Sequence, residues 1–239
     1  MKINTVCVIG LGYVGLTLAA ILAKSGFEVF GIEKDERKLS LLKKGRPHFH
    51  ENGLAELMKR TEGKRLHLLR DIPRNKRIDC FIIAVSTPVD EITKEPKIDY
   101  IIAATREIAP YVTSGQLVVL RSTIPVGATR NVVLPILKKR SKNFFLSFCP
   151  ERTAEGRALE ELKTLPQVVG GLDQASTDAS VELFSKISPL IVAVNSLEAA
   201  EIVKLVNNSY RDLVFAYANQ VALICKSLGM NAKEVIDAA

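Results

Sequence analysis

The fold predicted for this chain depends on residues 6–24, which read VCVIGLGYVGLTLAAILAK. A short apolar run rich in valine comes first, and the spacing G-x-G-x-x-G follows at Gly10, Gly12 and Gly15. Apolar residues then recur at helical spacing as far as Lys24. A strand, a glycine-rich turn and a helix in this order are typical of the first βαβ unit of a dinucleotide-binding fold.

Each glycine of this turn has a separate predicted role. Gly10 permits the tight turn, Gly12 lets a pyrophosphate approach the backbone, and Gly15 lets the helix pack closely on the strand. Tyr13 and Val14 open the helix, where the positive end of its dipole favours phosphate. We therefore predict that these five residues bind the cofactor, although a glycine turn without a ligand is the alternative.

A carboxylate follows the second predicted strand. Glu33 lies 18 residues after Gly15, at a position where an acid accepts the hydroxyls of the adenine ribose. A carboxylate there repels the additional phosphate of NADP, so NAD is the predicted cofactor. Lys34, Arg37 and Lys38 follow directly and leave NADP open as an alternative.

The composition is that of a globular chain. Of 239 residues, 47% are hydrophobic and 25% are charged, and the formal net charge is +7. This charge favours anionic partners, but the basic residues are scattered and no nucleic-acid recognition motif is present, so we predict no nucleic-acid partner. No apolar run approaches about 18 residues, so no membrane span is predicted either.

The four cysteines predict free thiols in a reducing compartment. Cys7, Cys80, Cys149 and Cys225 have no metal-ligand spacing, and two of them fall in predicted buried strands. We therefore predict no metal site and a cytoplasmic location.

Apolar strands alternate with amphipathic helices over most of the chain. Strands are predicted at residues 6–10, 29–33, 80–85, 117–121, 144–148, 167–170 and 190–194, and helices at 14–24, 36–44, 101–108, 130–137 and 175–186. This alternation predicts an α/β fold with a Rossmann-like, doubly wound parallel sheet buried on both faces. From residue 197 only helical patterns follow, so we predict a cofactor domain at 1–195 and the start of a helical region at 196–239.

Hydroxyl side chains end two of the central strands. Ser86 and Thr87 follow one strand and Thr123 follows the next, each with a proline close behind. Ligands of open parallel sheets bind outside the carboxyl ends of the strands. These residues are therefore candidates for binding the nicotinamide ribose or a substrate hydroxyl, with a turn or helix cap as the alternative.

The predicted helix after residue 197 carries a cation and an amide one turn apart. Lys204 and Asn208 share one face because residues at i and i+4 are neighbours on a helix. Apolar residues such as Val206 and Leu213 lie on the other side. From the helix alone, a solvated polar face and a pair directed at a ligand are both open.

Five motifs in sequence order resemble the UDP-glucose/GDP-mannose dehydrogenase family. They are GLGYVG, STP, STIPVG, PERTAEG and EAAEIVKLVNNSYRD, and together they extend over essentially the whole chain. The resemblance implies an NAD-dependent oxidation of the C6 alcohol of a UDP-sugar or GDP-sugar to a carboxylate, in two steps with two NAD molecules. With Arg152, the PERTAEG motif is similar to the motif of the family branch that acts on UDP-N-acetylmannosamine. Family members dimerise through the central helix, so a homodimer through the region after residue 196 is expected.

The resemblance also implies roles for residues near the cofactor. Glu33 and Lys38 match the family's contacts to the adenosine ribose. Thr123 matches a threonine near the nicotinamide and the reacting carbon. Glu151 and Glu155 match the acidic loop between cofactor and substrate, where Glu151 acts as a general base through water.

Lys204 and Asn208 match the family's lysine and asparagine on the central helix, which bind a substrate hydroxyl or a developing oxyanion. The resemblance thus implies four catalytic residues, namely Thr123, Glu151, Lys204 and Asn208.

One departure from the family is as informative as the matches. The family's nucleophile is a cysteine in a later glycine-rich segment, and none of the four cysteines here occupies that segment. The domain that holds the UDP-sugar is also expected to be absent. We therefore expect an N-terminal portion that binds NAD without turnover; a stand-alone binding or assembly module and a hydroxyacid dehydrogenase of the 6-phosphogluconate type are the alternatives.

Overall fold

The computed structural model describes residues 2–239 and contains eight strands and nine α-helices in that range. The strands are β1 (Thr5–Ile9), β2 (Glu28–Ile32), β3 (Leu66–Leu69), β4 (Cys80–Ile83), β5 (Leu117–Leu120), β6 (Phe145–Phe148), β7 (Gln167–Gly171) and β8 (Ile191–Val194). The helices are α1 (Tyr13–Lys24), α2 (Glu36–Lys43), α3 (Leu54–Thr61), α4 (Asp99–Ile108), α5 (Leu134–Lys138), α6 (Ala158–Thr164), α7 (Gln174–Phe184), α8 (Leu197–Ser227) and α9 (Ala232–Ala238).

The strands form one sheet in the order β3-β2-β1-β4-β5-β6-β7-β8. The chain moves outward from β1 to β3 on one side and then returns to pair β4 with the other side of β1. This reversal of strand order between β1 and β4 is the point where open α/β sheets bind ligands. The predicted Rossmann-like, doubly wound fold is confirmed.

The sheet departs from the predicted parallel arrangement at one pair of strands, β6 and β7. The pairs from β3 through β6 are parallel, but β7 runs antiparallel to β6, and β8 is parallel to β7. A strand buried on both faces has the same apolar pattern in either direction, so hydrophobicity does not record the reversal.

Three elements were not predicted, namely β3, α3 and α6. β3 reads LHLL with alternate burial, and it is too short and too poor in β-branched residues to produce a strand signal. The helix predicted at 130–137 begins with a π-helical turn at Thr129–Val133 before α5.

Helix α1 packs at the centre of the core. All of its residues from Gly15 to Ala23 are buried, because α1 packs against β1, β2 and β3 and against the helices α3 and α6. A Cβ atom on Gly15 would lie 1.8 Å from the carbonyl oxygen of Gly10. The third glycine is therefore required for contact between helix and turn, as predicted.

The chain divides into two compact units, one through Ile202 and the other Val203–Ala239, with the boundary inside α8. Helix α8 begins at Leu197, so the helical region predicted after residue 196 is present. It ends before Gly229, whose φ of 67° suits a glycine, and α9 follows. In the second unit, most large apolar side chains of α8 are exposed.

Candidate cofactor and active site

The glycine-rich turn lies where β1 meets β4. Gly10 has a φ of 89°, and a Cβ atom there would lie 3.0 Å from the carbonyl oxygen of Ala84 at the end of β4. The backbone N–H of Gly10 donates to the carbonyl of Ile32 at 2.9 Å. The turn therefore lies at the carboxyl ends of β1, β2 and β4. Helix α1 begins directly after it, with Tyr13 and Val14 as its first residues.

Gly12 is the glycine that the protein's own packing does not explain. Its φ of −68° and ψ of −167° are extended values that any residue adopts, and a Cβ atom there would have no neighbour within 4 Å. A side chain at this position would project into open space beside the first turn of α1. This fits a pyrophosphate that approaches the backbone of Gly12 and meets the positive end of the helix.

Glu33 follows β2 and faces this turn. One carboxylate oxygen accepts a hydrogen bond from the backbone N–H of Leu11 at 3.2 Å, and the other accepts from Asp35 at 3.0 Å. The acid that is predicted to bind the ribose is therefore fixed against the phosphate turn. Lys38 is exposed, and its backbone N–H donates to the carboxylate of Asp35, the N-cap of α2.

Lys34 differs from its neighbours because two acids hold it. Its ammonium lies 2.8 Å from Asp71 and 2.8 Å from Glu107. Burial alone would lower the pKa of Lys34, but the two acids outweigh it and raise the pKa above its usual value. A cation in this position is less available for the 2′-phosphate of NADP.

An aromatic group after α2 was missed by sequence reasoning. The rings of Tyr13 and Phe49 lie 5.1 Å apart, and those of Phe49 and His48 lie 5.0 Å apart, all edge to face. Nδ1 of His48 is buried without a hydrogen-bond partner. Burial, with a smaller contribution from Lys38, lowers the pKa of His48. Tyr13 belongs to the GLGYVG motif, but no motif in the sequence marks His48 or Phe49.

Glu51 connects this segment to the PERTAEG loop. Its carboxylate accepts from the phenol of Tyr13 at 2.8 Å and from the backbone N–H of Leu159 at 3.1 Å. The phenol oxygen also lies 2.7 Å from the carbonyl oxygen of Ala154. Burial and the bond to Glu51 raise the pKa of Tyr13 well above its usual value. The Tyr13 side chain is thus occupied by protein contacts, and its cofactor contact would come from the backbone.

The structure brings the hydroxyl residues of β4 and β5 together. The hydroxyl of Thr87 donates to the carbonyl of Thr123 at 2.6 Å, and that of Ser122 donates to the carbonyl of Val85 at 2.6 Å. Ser86 is exposed beside them. The two strand ends are thereby tied at the same edge of the sheet as Gly10.

A buried ion pair connects the end of β5 to the PERTAEG loop. The guanidinium of Arg121 lies 2.7 Å from one carboxylate oxygen of Glu151, and both side chains are buried. The other oxygen of Glu151 accepts from the backbone N–H groups of Arg152 at 2.8 Å and Thr153 at 2.9 Å. Arg121 also donates to the carbonyl of Cys149 at 3.2 Å.

Burial by itself raises the pKa of Glu151, but Arg121 and the two N–H donors outweigh it and hold the pKa below its usual value. A general base needs a lone pair that is open to water. Both oxygens of Glu151 are occupied here, so base action would require the pair with Arg121 to open. Glu151 was a candidate from the sequence, but Arg121 was missed. Arg121 directly precedes Ser122, and no acidic residue near it in the sequence indicates an ion pair.

The rest of the PERTAEG loop is held by backbone contacts. The N–H of Ala154 donates to Glu161 at 2.7 Å, and the amide of Asn52 donates to the carbonyl of Gly156 at 3.1 Å. Glu155 is exposed in this loop. Nε of Arg152 is buried without a partner, although its guanidinium also donates to the carbonyl of Pro166 at 3.2 Å.

The first turn of α8 is fixed to the STIPVG segment. The buried carboxylate of Glu201 accepts from the backbone N–H groups of Gly127 at 2.5 Å and Thr129 at 2.9 Å. One turn earlier, Glu198 forms an ion pair with Arg130 at 2.5 Å. The loop that contains Thr123 and the start of the helix that carries Lys204 are therefore coupled within the first unit.

Lys204 and Asn208 belong to the second unit and are half-buried there. At 3.6 residues per turn they lie on the face of α8 opposite a stripe of exposed apolar residues. That stripe consists of Val206, Tyr210, Leu213, Tyr217 and Ile224. Phe215, which is also exposed, lies on the same face as Lys204 and Asn208, so the separation of polar and apolar faces along α8 is incomplete.

Among the residues described, no group of three or more His, Cys, Asp or Glu side chains is arranged to hold a metal ion. In the same range, no helix has the length and apolar character needed to cross a membrane. All four cysteines are free and buried.

A glycine-rich turn at the reversal of strand order, with an acid at the end of the next strand, defines this unit as a dinucleotide-binding domain. Residues 4–188 match the NAD binding domain of the UDP-glucose/GDP-mannose dehydrogenase family, and residues 198–239 match its central domain. The chain belongs to this family, whose members are NAD-dependent nucleotide-sugar dehydrogenases. The predicted family and the predicted cofactor, NAD, are both confirmed.

Individual proteins give the same result. The chain is 35% identical to a UDP-N-acetyl-D-mannosamine dehydrogenase of Methanococcus vannielii, in an alignment that covers 100% of this chain and 55% of that protein. The structure of UDP-D-ManNAc dehydrogenase from Pyrococcus horikoshii superposes with a TM-score of 0.90 at 29% identity, over 98% of this chain and 57% of the other. GDP-mannose dehydrogenase from Pseudomonas aeruginosa gives a TM-score of 0.87 at 28% identity, over 98% and 56%. The chain thus spans little more than half the length of these relatives.

Proposed function

We propose that this chain is the cofactor-binding portion of an NAD-dependent nucleotide-sugar 6-dehydrogenase that acts on UDP-N-acetylmannosamine or a related sugar nucleotide. Gly12 carries the proposal, because a Cβ atom there would meet no protein neighbour beside the helix terminus, which leaves room for a ligand phosphate against the backbone. The names of the relatives support the substrate class, since similar proteins act on UDP-N-acetyl-D-mannosamine. Arg152 in the PERTAEG loop supports the same branch.

The bound NAD would accept a hydride from C6 of the sugar. Gly10, Gly12 and Gly15 would hold the pyrophosphate, and Glu33 would accept the ribose hydroxyls with Lys38 nearby. Ser86, Thr87 and Thr123 would surround the nicotinamide end, because β4 and β5 end at the same edge of the sheet as the glycine turn. Glu155, exposed in the PERTAEG loop, would close the site over the cofactor.

The remaining catalytic roles rest on the family match. Lys204 and Asn208 would stabilise the oxyanion that develops at the substrate oxygen. Glu151 would activate water when its pair with Arg121 opens, and otherwise it would hold the loop in place.

This chain offers no thiol suited to covalent catalysis. Burial raises the pKa of Cys7, Cys80 and Cys149, and Cys225 is also buried. A thiolate is the reactive form. We therefore propose that the chain binds NAD but does not complete the oxidation by itself.

Several coarser features belong to the same proposal. Residues 1–195 would form the cofactor domain, and residues 196–239 would begin the helical region through which two copies associate. The location would be cytoplasmic, and the product would be an acidic sugar nucleotide for polysaccharide synthesis.

Calorimetric titration of the chain with NAD and NADP tests the cofactor half of the proposal. We expect saturable binding of one NAD per chain and weaker binding of NADP; absence of NAD binding would refute it. The substrate class is tested with a protein that contains this chain and any sequence that follows it in its gene. Three substrates are compared, namely UDP-N-acetylmannosamine, UDP-glucose and GDP-mannose. NADH should form fastest with UDP-N-acetylmannosamine.

A further inference from the structure

A second concave site lies on the first unit, away from the glycine turn. Its volume is about 680 Å³, within the range of about 300–1,000 Å³ that small-molecule sites occupy. Its walls come from the end of α1, from α3, from α6 and from the turns before β3 and after α7. None of the residues predicted for the cofactor or for catalysis lines it.

Basic side chains from separate segments converge on this cavity. They are Lys24, Arg60, Lys64, Arg65, Lys163 and Lys186, against a single lining carboxylate, Glu56. The excess of five positive charges compares with a net charge of +7 for the whole chain. Like charges on a concave surface repel one another and attract anions.

The arginines of the cavity are bound to other protein groups, whereas its lysines form no ion pairs. Arg60 pairs with Glu56, and the guanidinium of Arg65 donates to the carbonyl of Gly26 at 2.6 Å. Within residues 2–239, the ammonium groups of Lys24, Lys64, Lys163 and Lys186 form no ion pair. Four point charges on flexible stems are thus available to a ligand with several anionic oxygens.

The floor of the cavity is apolar. Ile21 and Ile187 are buried there, and Leu57 and Leu159 are half-buried. Both ends of α3 line the cavity, through Gly53 and Thr61, so the dipole of this helix gives no net preference for an anion and the positive charge comes from the basic side chains. An apolar floor under a cationic rim suits a flat ring that is joined to phosphates.

We propose that this cavity binds a nucleoside triphosphate, with the base on the apolar floor and the phosphates on the lysines. This cavity is separate from the glycine-rich turn that is proposed to bind NAD. Its proposed role does not depend on the proposed dehydrogenase activity. Its occupant is defined by charge and shape: several phosphates for the cations and a ring for the floor.

The test titrates the chain with ATP, UTP, inorganic tripolyphosphate and uridine at low ionic strength. We expect the nucleoside triphosphates to bind most tightly, tripolyphosphate more weakly and uridine least. The double variant Lys163→Glu/Lys186→Glu should weaken triphosphate binding by about tenfold or more, while NAD affinity stays within about twofold because neither lysine lines the cofactor turn. Leu159→Ser should weaken nucleotide binding and leave tripolyphosphate unchanged.

Two controls make the result decisive. Lys138→Glu/Lys142→Glu makes the same change of net charge at exposed positions outside the cavity, so it should leave triphosphate binding nearly unchanged. Gly12→Val should block the cofactor turn and leave triphosphate binding intact. An equal loss in both double-lysine variants, a loss in Gly12→Val, or no triphosphate binding at all would overturn the proposal.

Discussion

Arg121 and Glu151 form a buried ion pair, 2.7 Å between guanidinium nitrogen and carboxylate oxygen, that joins the end of β5 to the loop after β6. Arg121 is also bonded to Gln167 at 3.0 Å at the start of β7 and stacks over the ring of Phe184, 5.3 Å from its centre. The Arg121 side chain thus connects the ends of β5 and β6 to the start of β7, the strand that runs antiparallel to β6.

Loss of Arg121 should destabilise the fold strongly. Arg121→Met leaves the Glu151 carboxylate buried without its counterion, which costs about 3–5 kcal/mol. The double variant Arg121→Met/Glu151→Leu removes both charges and should be more stable than the sum of the single losses predicts. Urea unfolding followed by circular dichroism measures the free energies, and additive losses in this cycle would contradict a coupled pair.

Stability should fall at acid pH because of Glu151. Its folded-state pKa lies below its usual value, so its stabilisation is complete above the unfolded pKa of about 4.3. It is lost as the pH falls through the folded value. Glu151→Gln should flatten this acid limb in urea titrations. Asp90 provides the comparison: its pKa is lowered to about 2, mainly by Lys97, but the pair lies at the surface, where water screens it, so Asp90→Asn should change the acid dependence less than Glu151→Gln does.

Gly12 and Gly15 should respond in opposite ways to substitution. A Cβ atom at Gly12 meets no protein atom within 4 Å, so Gly12→Val should change the unfolding midpoint only slightly, through the N-cap preference, but abolish NAD binding by occupying the space of the pyrophosphate. Gly15→Ala places a Cβ atom against the Gly10 carbonyl and should lower stability by about 2 kcal/mol or more. Thermal unfolding and NAD titration of both variants distinguish these effects; a destabilised Gly12→Val that still binds NAD would contradict our assignment.

Discrimination between NAD and NADP should depend on Glu33 and not on Lys34. Glu33→Arg removes the ribose acceptor and its repulsion, so NAD should bind about tenfold more weakly and NADP more tightly. Glu33→Gln retains an oxygen that can accept from the backbone N–H of Leu11. It should therefore reduce the preference for NAD over NADP without disturbing the glycine-rich turn. Since Asp71 and Glu107 already hold Lys34, Lys34→Met should leave the ratio of the two affinities within about twofold. Equal affinities in the unmodified chain would contradict the role of Glu33.

The apolar stripe on α8 should mediate self-association. Leu213 is 66% exposed and Tyr217 is 71% exposed, and one substitution is present twice in a symmetric dimer. Leu213→Lys should therefore weaken a dimer by at least about tenfold, as measured by sedimentation equilibrium. Asn219→Lys introduces the same charge on the opposite face and serves as the control; an unchanged assembly of Leu213→Lys would place the contact elsewhere.

The glycine turn, its strand and its helix were predictable because their requirements are local. A tight turn, an open approach for phosphate and an apolar helix face are all encoded within residues 6–24. Glu33 followed from its distance along the chain, and the shared face of Lys204 and Asn208 on α8 followed from helical periodicity.

Contacts between distant segments were not predictable in the same way. Nothing beside Arg121 in sequence indicates Glu151, 30 positions later, and the buried Glu201 gives no sign of its bonds to Gly127 and Thr129. The reversed direction of β7 was also hidden, because an apolar strand reads alike in both directions.

The sequence by itself thus determined most of the strands and helices, the cofactor turn and the family, since these depend on periodicity and on residue types at fixed local spacing; β3, α3 and α6 lacked such a signal. Only the tertiary structure decided which charges are buried together and which lysines share one cavity. Those properties depend on distances between segments that the fold brings together, and one-dimensional spacing contains no record of them.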